Sequence, residues 1–184
     1  GNATHVVAIS PDGTRALVGA EGNLTLFALP TGEVIARAVP LKGQVQELAF
    51  SADGRWYASR AFYGGVVVWE AETGREILRA ETGDEAGDRF AFHPTAPEIA
   101  IALPYQEKIG AFTLPDGVER TDFTLQAFGA ESALAYHPNG WALVRTGDPV
   151  NGYTLYSQSD GSEVMRLRDI HETPVLTASF VAGS

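Results

Sequence analysis

An all-β fold made of four repeated sheets is predicted by three features of the 184-residue sequence. A turn signal recurs as Ser10-Pro11-Asp12-Gly13, Ser51-Ala52-Asp53-Gly54, His93-Pro94-Thr95-Ala96 and His137-Pro138-Asn139-Gly140, at intervals of 41, 42 and 44 residues. A second signal, Thr31-Gly32, Thr73-Gly74, Asp116-Gly117 and Asp160-Gly161, keeps the same period. Between them lie short runs rich in β-branched, aromatic and small apolar residues, and no amphipathic helix of ordinary length can be fitted. A period of roughly 40 residues marks a repeat array whose units are too small to bury a core alone.

Each unit reads as four strands joined by residues that suit tight turns. The first unit predicts strands over 6–10, 15–20, 24–29 and 33–39, and the second over 45–51, 55–61, 66–70 and 75–81. The third predicts 88–93, 98–103, 108–113 and 118–125, and the fourth 132–137, 141–146, 153–157 and 162–168.

The second unit carries Val45-Gln46-Glu47-Leu48-Ala49-Phe50-Ser51, then Val66-Val67-Val68-Trp69-Glu70, then Glu72-Thr73-Gly74. On these residues the chain resembles the WD-repeat β-propellers, with Trp69-Glu70 in place of the signature Trp-Asp dipeptide. The other units keep an aromatic there, in Phe27-Ala28, Phe112-Thr113 and Tyr156-Ser157, but lose the acid. The opening Gly-His pair is absent, with Ile170-His171 its nearest approach. The resemblance therefore implies a divergent propeller of four-stranded antiparallel blades, in which the Trp-Asp-His-Ser hydrogen-bond network is not assured.

The expected organisation is one β-propeller segment over 1–184, incomplete in this chain, with blades at about 6–39, 45–81, 88–125 and 132–168. Residues 175–181 repeat the inner-strand pattern, Phe180 falling 44 residues after Tyr136, and so predict the first strand of a fifth blade. An inner strand with an open edge needs a partner. The expected partner is a complementary propeller segment or fused domain, completing seven or eight blades by analogy with the family.

Apolar residues make up 45% and charged residues 20%, the usage of an ordinary globular domain, and no apolar run is long enough to span a bilayer. The absence of cysteine excludes disulfides, thiolate metal sites and covalent haem attachment within these residues, and no cofactor is expected in them. A net charge of −10, with scattered arginines, argues against nucleic acid and anionic membranes and favours a neutral or basic protein partner. The arginine-over-lysine bias, with abundant alanine and glycine, points to a bacterial source and leaves periplasm and cytoplasm both open.

Four-stranded blades place the loops between second and third strands on one face, together with the links between blades. Phe62, Tyr63, Tyr105, Glu107 and Asp148 fall in those loops and are the candidate partner-binding residues. Aromatics in turns where Gly or Asn would suit the backbone resemble interface anchors, although they would equally serve as caps on the blade edges. His93 and His137, at the repeat position of Ser10 and Ser51, are expected to cap turns. The acidic run Asp84, Glu85 and Asp88 lacks the alternating ligands of a calcium loop. Nucleophile-elbow, phosphate-loop and zincin motifs are missing. Two readings follow: a non-catalytic protein-interaction scaffold, or the propeller portion of a periplasmic redox enzyme or cytochrome-associated protein.

Overall fold

Glycine fixes the joints from which the sheets are built. In the computed structural model, which describes residues 5–38, 42–81, 89–126, 134–140, 142–146, 153–157 and 159–167, Gly32, Gly74, Gly117 and Gly161 all have φ between 67° and 75°. Each donates its N–H at 2.8 Å to a carbonyl four residues back: Ala28, Glu70, Thr113 and Ser157. A left-handed residue closing such a turn inserts one extra residue into the ladder. The register accordingly slips between third and fourth strands beside Phe27, Trp69, Phe112 and Tyr156.

The chain divides into two units, Gly1–Glu85 and Ala86–Ser184. The first holds β1 (His5–Ile9), β2 (Arg15–Ala20), β3 (Asn23–Ala28) and β4 (Val34–Ala38), then β5 (Val45–Phe50), β6 (Trp56–Ala61), β7 (Gly65–Glu70) and β8 (Glu76–Ala80). Each set forms one antiparallel sheet in sequence order. Leu17, Leu24 and Leu26 of the first sheet form one buried cluster with Val45, Tyr57, Ala61, Val67 and Trp69 of the second. Trp69 stacks on Tyr57 with ring centroids 6.2 Å apart, and its Nε1 donates to Ser59 Oγ at 3.3 Å.

The second unit repeats the plan with β9 (Phe90–Phe92), β10 (Glu98–Leu103), β11 (Lys108–Thr113) and β12 (Val118–Gln126), then β13 (Leu134–Tyr136), β14 (Ala142–Thr146), β15 (Tyr153–Ser157) and β16 (Glu163–Leu167). A single 3-10 turn, Pro104–Gln106, is the only helix among the described residues, and no helix there is long and apolar enough to cross a membrane. Ala100, Ala102, Ile109, Ala111, Phe123 and Leu125 pack against Leu134 and Tyr136. Of the four third-strand aromatics, Trp69 and Phe112 are buried, while Phe27 and Tyr156 are half-buried. Residues 175–181, expected to begin a fifth blade, lie outside the described residues, as do the acidic run Asp84, Glu85 and Asp88 and His171.

Candidate functional site

The hairpins between second and third strands differ in length, and length decides which residue must adopt the left-handed conformation. Ala20 pairs with Asn23, leaving Glu21-Gly22 as a two-residue loop with φ of 47° and 81°. Ala61 pairs with Gly65 around Phe62-Tyr63-Gly64, with Tyr63 at 63°. Leu103 pairs with Lys108 around residues 104–107, with Glu107 at 51°. These are the only non-glycine residues with positive φ among those described. Such a conformation costs a side-chain-bearing residue about 1–2 kcal/mol relative to the right-handed region, and strain of this sort concentrates at binding loops.

In the first unit the link 42–44 clamps the Phe62 loop. Phe62 N donates to Gln44 O at 2.8 Å, and Gly43, at φ 79°, approaches so closely that a β-carbon would overlap the Phe62 carbonyl. Phe62 is consequently half-buried, and its ring meets the edge of Tyr63 at 4.2 Å between centroids. Tyr63 stays 53% exposed. The expected pair of exposed aromatics thus divides its roles: Phe62 supports, Tyr63 projects.

In the second unit Tyr105 is 67% exposed on the 3-10 turn, and Glu107 beside it is exposed. The structure therefore brings Phe62 and Tyr63 together in one unit and Tyr105 and Glu107 in the other. Asp148 lies outside the described residues.

The histidines act on turns. His93 Nδ1 accepts from Thr95 N at 3.2 Å and Ala96 N at 2.7 Å, and His137 Nδ1 accepts from Asn139 N at 3.2 Å. In the first two units Ser10 and Ser51 do the equivalent, accepting from Arg15 N at 2.9 Å and Trp56 N at 3.0 Å. Among the described residues no group of three or more His, Asp or Glu is placed to hold a metal ion.

Sequence reasoning missed one polar cluster. Buried Glu98 accepts from Tyr136 Oη at 2.8 Å and from Arg120 Nη1 at 3.0 Å, while Arg120 also grips Asp122 with two bonds of 2.9 Å. Those bonds to Asp122, ahead of the contact with Glu98, raise the Arg120 pKa and hold the Asp122 carboxyl below the usual carboxylate range. A signal was present: Glu98 stands where Arg15 and Trp56 open the second strands of the first two units.

No family model matches the sequence, and comparison with curated proteins finds no match. Among solved structures the chain is similar to dihydro-heme d1 dehydrogenase NirN in complex with DHE, at 18% identity and a TM-score of 0.69, over 90% of this chain and 37% of that one. The chain thus spans well under half the length of that structure. With 1328 solved chains matching, the likeness identifies an architecture and not an activity. The four-stranded antiparallel sheets and this likeness define the chain as an all-β protein of the β-propeller class.

Proposed function

We propose that the chain is a non-catalytic protein-interaction scaffold whose contacts are made, in each unit, by that unit's loops between second and third strands. One observation carries the reading: Tyr63 and Glu107 occupy left-handed positions that glycine would fill without strain, and both are exposed. The edge contact of Tyr63 with Phe62, worth about 0.5–1.5 kcal/mol, only approaches the strain of about 1–2 kcal/mol, and the exposure of Tyr63 and Glu107 supports a further contact as the reason for retaining them. Tyr105 adds a second projecting aromatic of the kind that anchors interfaces. The acidic balance of the chain, at −10, suits a basic partner surface. In this reading residues 1–184 are part of one propeller, completed by a complementary segment. The WD-repeat branch is supported by Trp69-Glu70 and by the Trp69–Ser59 bond.

The test is a Tyr63→Gly, Tyr105→Ala variant compared with the wild type in affinity capture followed by mass spectrometry. The scaffold reading expects an unchanged melting temperature and loss of a specific captured protein. Loss of folding with capture intact would assign the rings to loop capping.

A second reading, the propeller portion of a redox protein, draws support from the likeness to a structure described as a dihydro-heme d1 dehydrogenase. Titration of the purified chain with a haem, followed by its absorption spectrum, separates the two: a saturable spectral shift favours the redox reading.

A further inference from the structure

Three of the four repeat turns end in a glycine that follows an acid or an amide: Asp12-Gly13, Asp53-Gly54 and Asn139-Gly140. Their side chains differ in reactivity. Asp12 Oδ1 accepts from the Ser10 hydroxyl at 2.6 Å and Thr14 N at 2.9 Å, and Asp53 Oδ1 accepts from the Ser51 hydroxyl at 2.7 Å and Arg55 N at 3.0 Å. A carboxylate so engaged is a poor electrophile. Asn139 is exposed at the same repeat position, and its neutral carboxamide can lose ammonia.

The backbone around Asn139 is held at three points. Asn139 N donates to His137 Nδ1 at 3.2 Å, Gly140 N donates to His137 O at 2.7 Å, and the Gly140 carbonyl lies 3.2 Å from His93 Nε2 of the preceding sheet. His93 Nδ1 accepts from Thr95 N and Ala96 N, so Nε2 is the donor. The first two bonds are local to the turn, whereas the third comes from another sheet. Gly13 and Gly54 carry no such ring: a β-carbon on Gly13 would meet nothing within 4 Å, and one on Gly54 would meet Pro11 Cδ at 3.6 Å, while one on Gly140 would overlap His93.

We propose that Asn139-Gly140 is a deamidation site whose reaction is held off by the His93 ring. In that reaction the Gly140 amide gives its proton to hydroxide, its nitrogen bonds to Asn139 Cγ, and the side-chain nitrogen leaves as ammonia with a proton from water. Water then opens the succinimide ring at either carbonyl, leaving aspartate or an isoaspartyl linkage. Closing the ring requires the peptide between Asn139 and Gly140 to rotate toward the Asn139 side chain. That rotation breaks the bond to His137 O and draws the Gly140 carbonyl away from His93. An isoaspartyl linkage lengthens the main chain by a methylene group and adds a carboxylate to the turn, so an opening of the latch becomes permanent. The proposal is independent of the loop-face reading and uses none of its residues.

Incubating the intact chain in mildly alkaline buffer tests it, with peptide mapping by mass spectrometry that separates aspartate from isoaspartyl products. Asn139 in the folded wild type should convert at least ~10-fold more slowly than in the denatured chain, the effect of a buried hydrogen bond on local opening. His93→Asn keeps an acceptor for the Thr95 and Ala96 amides and lacks the Nε2 donor. It should speed conversion at Asn139 by about tenfold relative to Asn151-Gly152, a second such dipeptide that lies outside the described residues. Circular dichroism checks that the variant is folded, and His93→Ser, which restores the cap used by the first two turns, replaces it if it is not. Equal conversion at Asn139 in folded and denatured wild type, no acceleration in the His93 variant, or equal acceleration at Asn139 and Asn151 would overturn the proposal.

Discussion

His93 Nε2 lies 3.2 Å from the carbonyl oxygen of Gly140, forty-seven residues further along the chain. Because Nδ1 accepts two backbone amides, Nε2 carries the proton and donates to that carbonyl. One buried ring therefore closes its own turn and ties it to the matching turn of the next sheet. Gly140, at φ 73°, admits the contact, since a β-carbon there would overlap His93 Cε1 and Nε2. The ring also leans on Tyr136, 4.9 Å between centroids. Serine, which fills the same repeat position in the first unit, caps only its own turn.

His93→Ala should destabilise the chain by about 1–3 kcal/mol for each buried group left without a partner. Gly140→Ala should also destabilise it, through the left-handed backbone and the overlap with the ring. The double variant should cost less than the sum, because removing the ring removes the overlap. Denaturant melts of the three variants measure this, and strict additivity would show that the two residues do not touch.

Asp12 is held at a pKa of about 2, first by the Ser10 hydroxyl that donates to it at 2.6 Å, then by the Thr14 amide and hydroxyl. A carboxyl depressed by folding supports the fold above its ordinary value near 3.8, and that support is lost as pH falls toward 2. Ser10→Ala should raise the Asp12 midpoint by removing the largest contribution. Carboxyl-carbon NMR titration reads it directly, and an unmoved midpoint would refute the assignment.

The strands and turns were legible because their signals are local and repeat: Ser10 and Ser51 announce the same turn, and Gly32, Gly74, Gly117 and Gly161 the same bulge. The loops carrying Tyr63 and Glu107 were legible as positions. Their strain was not, because it follows from loops of three and four residues, whose lengths are set by strand pairing. The half-burial of Phe62 depends on Gly43 approaching from the preceding link, a contact that no periodicity encodes. Glu98, Arg120 and Tyr136 stand 22 and 38 residues apart and meet only through strand pairing and sheet packing.

Trp69 should be the costliest single truncation in the first unit. It is buried, stacked on Tyr57 and bonded to Ser59, so Trp69→Ala is expected to cost about 3–5 kcal/mol. Trp69→Phe keeps most of the packing and loses the Nε1 donor, and its cost should fall to roughly 1–2 kcal/mol. Chemical denaturation separates these values, and equal losses for the two variants would place the energy in the hydrogen bond.

The buried phenols should set the alkaline limit of the fold. Burial pushes Tyr57 up to about 12 and Tyr136 well above the ordinary tyrosine value, the latter helped by the charge and hydrogen bond of Glu98. Both groups bind their proton more tightly folded than unfolded. Their contribution is therefore complete below the unfolded value near 10 and is lost as pH rises from there through the folded values. Tyrosinate absorbance followed together with circular dichroism should show Tyr57 and Tyr136 ionising only as the β signal collapses. Tyr136→Phe should leave one such tyrosine and cost about 1.5–3 kcal/mol at neutral pH, the range for a hydrogen bond to a charged group. Reversible ionisation of all six tyrosines with the β signal intact would place Tyr57 and Tyr136 in contact with solvent and contradict the packing described for them.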